Sequence, residues 1–148
     1  MMGKTEERKT EEGKTEEGKT EGRKTERRKT IGKFEDLDVW KESVGLSIEI
    51  YKYFSEIRDY GFKDQIQRSV ISIPSNIAEG YDRDSNKEYI RFLYISRGSC
   101  AELRTQLTIA KELKYLTKTE AEDLIDKTRK ISAMLYNLIQ TRIKRFGK

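Results

Sequence analysis

Arg97, Arg104 and Lys111 recur at seven-residue intervals. Cations with that period run along one flank of a helix, where they could meet successive phosphates of a nucleic acid backbone. Solvated helix faces carry similar rows, and Glu102 and Glu112 interrupt this one. A second constellation, Arg68, Asn76, Glu79, Arg97, Glu102 and Gln106, lies within or beside apolar stripes. Carboxylates placed there could serve as acid and base in a cleft. No activated nucleophile accompanies them, so Arg68, Asn76, Glu79, Glu102 and Gln106 are expected to form a structural network, with arginine paired to glutamate fixing helix register. A third group, Asp82, Asp84, Asn86 and Glu88, spaces oxygens as a hard cation requires. It fails as an EF-hand, because Lys87 takes the place of the turn glycine and Leu93 that of the closing glutamate. No metal, cofactor or small-molecule substrate is expected.

Composition narrows the chemistry further. The sequence has no histidine, the commonest general base and metal ligand, and its one cysteine, Cys100, cannot build a thiolate site or an internal disulfide. A histidine-dependent hydrolase and a structural zinc site are excluded. Cys100 stands among small residues and reads as a core filler. No apolar run nears the roughly 20 residues that span a bilayer, and the N-terminus is too polar for a signal-peptide core, so no membrane role and a cytoplasmic location are expected.

The net charge of +5 invites a nucleic acid partner. Residues 1–33, however, hold 11 basic against 8 acidic residues, which leaves 20 against 18 from Phe34 onward. The body is nearly neutral, so net charge by itself argues weakly for phosphate binding. From Lys4 to Lys33 the chain repeats every five residues, from KTEER to a degraded KTIGK. That period matches neither helix nor strand, and the repeat from Lys4 has no apolar residue before Ile31, so residues 1–33 are expected to be a disordered charged tail. It reads as a tandem repeat of the coding DNA, or as a tether touching RNA or acidic partners.

Residues 34–148 then form one domain, of a size that encloses a single core. Four helical stretches follow. The first, about 35–57, bears two apolar stripes: Leu37, Trp40, Val44, Ile48 and Tyr51 on one side, and Val39, Leu46, Ile50, Tyr53 and Ile57 roughly opposite. A helix in a small bundle needs one such stripe, so the second set is expected to form an oligomer interface. The second helix, marked by Phe62, Ile66, Val70, Ile73 and Ile77, reaches about Tyr81 and contains the only proline, Pro74, which removes the amide donor to the Val70 carbonyl and should kink it. Ser85–Glu88 reads as a capping box opening a third helix with an inward stripe of Tyr89, Phe92, Ser96, Ser99, Leu103, Leu107 and Ala110. Thr119–Glu122 reads as another, opening a fourth with Leu124, Thr128, Ile131, Leu135 and Leu138 inward. The fold class expected is all-α, an antiparallel up-down four-helix bundle with a disordered N-terminal tail.

The order FEDLDVWK (34–41), QRS (67–69), SIPSNIAEG (72–80), KEY (87–89), Phe92-Leu93, Gly98-Ser99, Glu102-Leu103 and Thr105-Gln106-Leu107 resembles the four-helix-bundle family encoded in intervening sequences of bacterial 23S ribosomal RNA genes. The likeness covers nearly all of residues 34–145. Ser43 and Ser69 stand where alanine is usual, Phe54-Ser55-Glu56 replaces a more usual Phe-Pro, and the tail has no counterpart. The resemblance implies a four-helix protomer, homopentameric rings, no catalytic activity, and a broad similarity to the accessory proteins of diversity-generating retroelements that bind nucleic acid and a reverse transcriptase. Together the residues and the resemblance lead to a non-enzymatic, self-associating bundle that binds RNA or DNA through Arg97, Arg104 and Lys111. Its alternatives are a structural oligomer with a protein partner and a metal-assisted nuclease using Glu79, Asp82 and Asp84.

Overall fold

The structure, a computed structural model, describes residues 32–147. The expected tail therefore lies outside the described residues, save Gly32 and Lys33. The chain divides at Leu37. In the first unit, Phe34–Asp36 forms a 3-10 turn, closed by the Leu37 amide donating to the Phe34 carbonyl at 3.0 Å. The second unit holds four helices: α1 (Asp38–Tyr53), α2 (Tyr60–Tyr81), α3 (Asn86–Glu112) and α4 (Lys118–Phe146).

Each helix packs against its two neighbours around the cycle α1, α2, α3, α4 and back to α1, with short connections between successive members. This is the expected antiparallel up-down bundle. Leu46, Ile66, Ile73, Leu93, Leu103 and Leu135 are among the side chains wholly withdrawn from water, and cutting any of them to alanine costs about 2–5 kcal/mol in packed cores. The α2/α3 seam is the most extensive and the α1/α4 seam the thinnest.

α2 passes through Pro74 as one helix. The Val70 carbonyl, deprived of its partner by the proline ring, is met from α1: the Ser47 hydroxyl lies 3.3 Å from it and 2.8 Å from the Ser43 carbonyl of its own helix, a three-centre arrangement. From the other side, the Ser96 hydroxyl of α3 donates to the Ile73 carbonyl at 2.8 Å. Small serines thus bring α1 and α3 close to the backbone of α2 where its own ladder is interrupted.

Helix ends differ from expectation by local chemistry. α1 stops at Tyr53, because the amides of Ser55 and Ile57 turn to carbonyls three residues back, tightening the chain over the buried Phe54 ring. That ring lies 6.1 Å from Phe62, which meets Tyr115 edge-on at 5.5 Å. Asp59 caps α2 through the Phe62 amide and accepts the Tyr115 hydroxyl at 2.7 Å, tying together the two loops at this end. At α3 only half of the expected box forms: Ser85 accepts from the Glu88 amide, but the Glu88 carboxylate accepts from Arg91 instead of reaching back. α4 opens on a complete box two residues earlier than expected, Thr117 with Glu120. α3 ends in a Schellman motif, with the Tyr115 amide donating to the Ala110 carbonyl and Lys114 held at φ +62°, the left-handed conformation usually given to glycine.

Gly80 fixes how close α2 and α3 come, since a Cβ there would sit 2.5 Å from the Cβ of Phe92. Alanine normally gains about 1 kcal/mol over glycine inside a helix. Here the intruded atom cannot swing away, so Gly80→Ala should instead destabilise the fold by about 1–3 kcal/mol, the cost of an overpacked core, read as a lower urea midpoint with helical circular dichroism retained.

Candidate nucleic-acid interface

The seven-residue spacing falls short of two full turns by about 20°, so Arg97, Arg104 and Lys111 wind slowly along the flank of α3 that faces α4. Arg104 and Lys111 line a furrow of about 560 Å³ between the two helices, and α4 contributes Arg129, Glu122 and Asp126 to the same furrow. Farther along that seam, the Arg97 guanidinium lies 4.9 Å from the centroid of the Tyr136 ring on α4. Arg97 and Arg104 both act on the Cys100 thiol, partly opposing the burial that pushes it up to about 11. That thiol is buried and stays protonated at neutral pH, as expected of a core filler.

Charge balance within the furrow favours an anion. Asp126 is matched by Arg129 of its own helix at 3.2 Å, whereas among the described residues Arg97, Arg104 and Lys111 have no ion-pair partner. Glu122 alone opposes Arg104 and Lys111. A second furrow, about 770 Å³ between α1 and α4, differs in this respect: Lys127 pairs with Glu49 at 2.7 Å and Lys130 with Glu42 at 3.0 Å across it. Arg129 escaped the sequence reading because nothing along the chain connects it to Arg104. Only the packing of α3 on α4 does.

The expected polar network is not assembled. Arg68 pairs with Asp64 one turn back on its own helix, both side chains well exposed, and Glu79 pairs with Arg83 in the same way. A local partner at helical spacing costs neither burial nor long-range ordering, so it captures these ions at the surface. What crosses the α2/α3 seam is seryl: Ser69 donates to Glu102 at 2.9 Å and Ser72 to Ser99 at 2.6 Å, while the Asn76 amide returns to the Ser72 carbonyl at 2.7 Å. The Gln106 carbonyl oxygen is buried without a partner.

The acidic loop does not converge either. Asn86 is engaged by α4, accepting from the Arg142 guanidinium at 2.8 Å and donating to the Gly147 carbonyl at 2.7 Å. Arg142 also lies over the rings of Tyr89 and Phe146, and burial pushes the Tyr89 phenol up to about 12. Among the described residues no group of three or more His, Cys, Asp or Glu side chains could hold a metal ion. No helix among them is long and apolar enough to cross a membrane.

The two stripes of α1 exchange roles. Val39, Leu46 and Ile50, expected at an oligomer interface, are buried in the bundle's own core, with Tyr53 and Ile57 at its margin. The stripes are not matched: the inward set holds four aliphatic residues and a tyrosine, the outward set three aliphatic residues with Trp40 and Tyr51. Ser43 and Ser47, which lie between the stripes, let the helix approach α2 closely, and the more aliphatic stripe is the one that enters the core. The opposite stripe therefore faces outward, leaving Ile48 51% and Tyr51 43% exposed and Trp40 and Val44 half-buried.

The sequence profile of the 23S rRNA-intervening sequence proteins matches residues 35–137, from the first turn to most of the way along α4. The chain belongs to that family. A solved crystal structure of similar fold comes from Bacteroides thetaiotaomicron, a protein of unknown function from the S23 ribosomal protein family. The two are 25% identical with a TM-score of 0.65, over 69% of this chain and 98% of the other. No curated protein matches. The expected family and fold are thereby established.

Because Glu79 is a surface residue paired with Arg83 one turn on, Glu79→Ala should leave stability within about 0.5 kcal/mol. Ser96→Ala removes a buried hydroxyl from the Ile73 carbonyl and should cost about 1 kcal/mol. Chemical denaturation of the two variants side by side checks the contrast.

Proposed function

We propose that this protein is a non-enzymatic, self-associating scaffold of the cytoplasm that binds RNA or DNA along the α3/α4 furrow. The observation that carries the reading is the row Arg97, Arg104 and Lys111, unpaired by any carboxylate among the described residues and leading into a furrow where Arg129 of α4 offsets Asp126. Such a row suits phosphates, which need positive charge at intervals and no reactive group. Self-association is supported by the outward stripe of α1, where Ile48 and Tyr51 stand in water beside the half-buried Trp40 and Val44. A homopentamer is the assembly proposed.

Cationic contacts release counterions, so affinity for nucleic acid should fall steeply with salt, and replacing each contacting residue by glutamine should lower the slope of log affinity against log salt by about 1. Titrations of the wild type and of the combined Arg97→Gln, Arg104→Gln, Lys111→Gln variant measure this. An unchanged slope in the triple variant, or no binding at low salt, would leave a protein partner as the better reading. Separately, Ile48→Glu with Tyr51→Glu should reduce the native mass in light scattering with helical content intact. A wild type that is monomeric at micromolar concentration ends the self-association proposal.

A further inference from the structure

We propose that the nucleic acid held by the α3/α4 furrow is single-stranded, with a base stacked on the platform formed by Tyr136 and Arg97. The inference rests on the furrow being the binding site. Tyr136 remains 45% exposed although the Arg97 guanidinium covers part of its ring from 4.9 Å away. A tyrosine ring on the surface of α4, held in place by a cation from α3, offers water a flat π surface next to a row of positive charge. Aromatic rings and guanidinium planes take up unstacked bases, since every base has a π face, whereas bases inside a duplex are already stacked. Tyr94 is 48% exposed and stands one turn before Arg97 on α3, where a second base could rest.

The furrow's width points the same way. Packed helix axes lie about 8–10 Å apart, so the depression between α3 and α4 is too narrow to enclose a duplex, whose major groove alone spans about 12 Å. A single strand can lie lengthwise in it, from the Arg97 platform to Lys111, about 21 Å of helix rise. A duplex would touch only the rims.

The test uses the full-length chain and fluorescein-labelled probes of about 16 nucleotides, the upper range of single-strand site sizes: oligothymidylate, oligouridylate and the matching dA·dT duplex. Either single strand should bind at least about tenfold more tightly than the duplex, and comparison of the first two separates DNA from RNA. Tyr136→Leu should weaken single-strand binding about tenfold, as expected for loss of one stacked base, while leaving the salt slope unchanged. Tyr136→Phe, which keeps the ring, should bind as the wild type does. Equal or tighter binding of the duplex, or indifference to Tyr136→Leu, overturns the single-strand inference and leaves the furrow in place. Binding of no probe removes the furrow reading and this inference with it.

Discussion

The interruption of α2 at Pro74 governs much of the molecule. A helix carrying a proline in its interior leaves one carbonyl without its donor, and in a packed core that carbonyl must find another or cost about 1–3 kcal/mol. Here the donor comes from a neighbour: Ser47 of α1 reaches the Val70 carbonyl, and Ser96 of α3 takes the adjoining Ile73 carbonyl. A hydroxyl on a one-carbon stem reaches a foreign backbone only when two helices nearly touch. Gly80 permits the same closeness one and a half turns later, against Phe92. The placement of α1 and α3 thus follows from what the backbone of α2 demands.

The outer surfaces are consequences of that arrangement. With Ser43 and Ser47 against α2, Leu46 and Ile50 lie in the core, and Ile48 and Tyr51 are turned to water. On α3, with Ser96 and Ser99 committed to α2, the flank bearing Arg97, Arg104 and Lys111 is left beside α4. The apolar face and the cationic furrow thus lie on different helices, so one protomer could associate through the first and bind through the second.

Much of this was legible in the residues, and what was not has identifiable causes. Apolar spacing gave four helices because each one's core stripe keeps the 3.6-residue period, even through Pro74. Caps were less certain: Thr117 and Thr119 both precede a glutamate by three residues, and only the extended backbone at Thr117 selects between them. The inward face of α1 was ambiguous because two apolar stripes compete, and the contact that seats the helix, Ser47 on the Val70 carbonyl, joins residues 23 apart in the chain. Arg68 and Glu79 were misplaced because burial of an ion pair was assumed where Asp64 and Arg83 offered exposed partners one turn away. The cationic row itself was visible, whereas Arg129 required the tertiary fold.

The thin seam between α1 and α4 has a consequence for how the bundle opens. Its most evident links are the Glu49–Lys127 and Glu42–Lys130 pairs, between partly exposed side chains of the kind that contribute little in water. α1 is consequently anchored from one side, by α2, while α2, α3 and α4 are joined by broader seams. Sub-global opening will begin with α1 lifting away from α4, exposing its amides to exchange before those of the other three helices. If assembly engages the outer stripe of α1, each added subunit holds down the element that opens first, so protomer concentration and hydrogen-exchange protection in α1 become linked quantities.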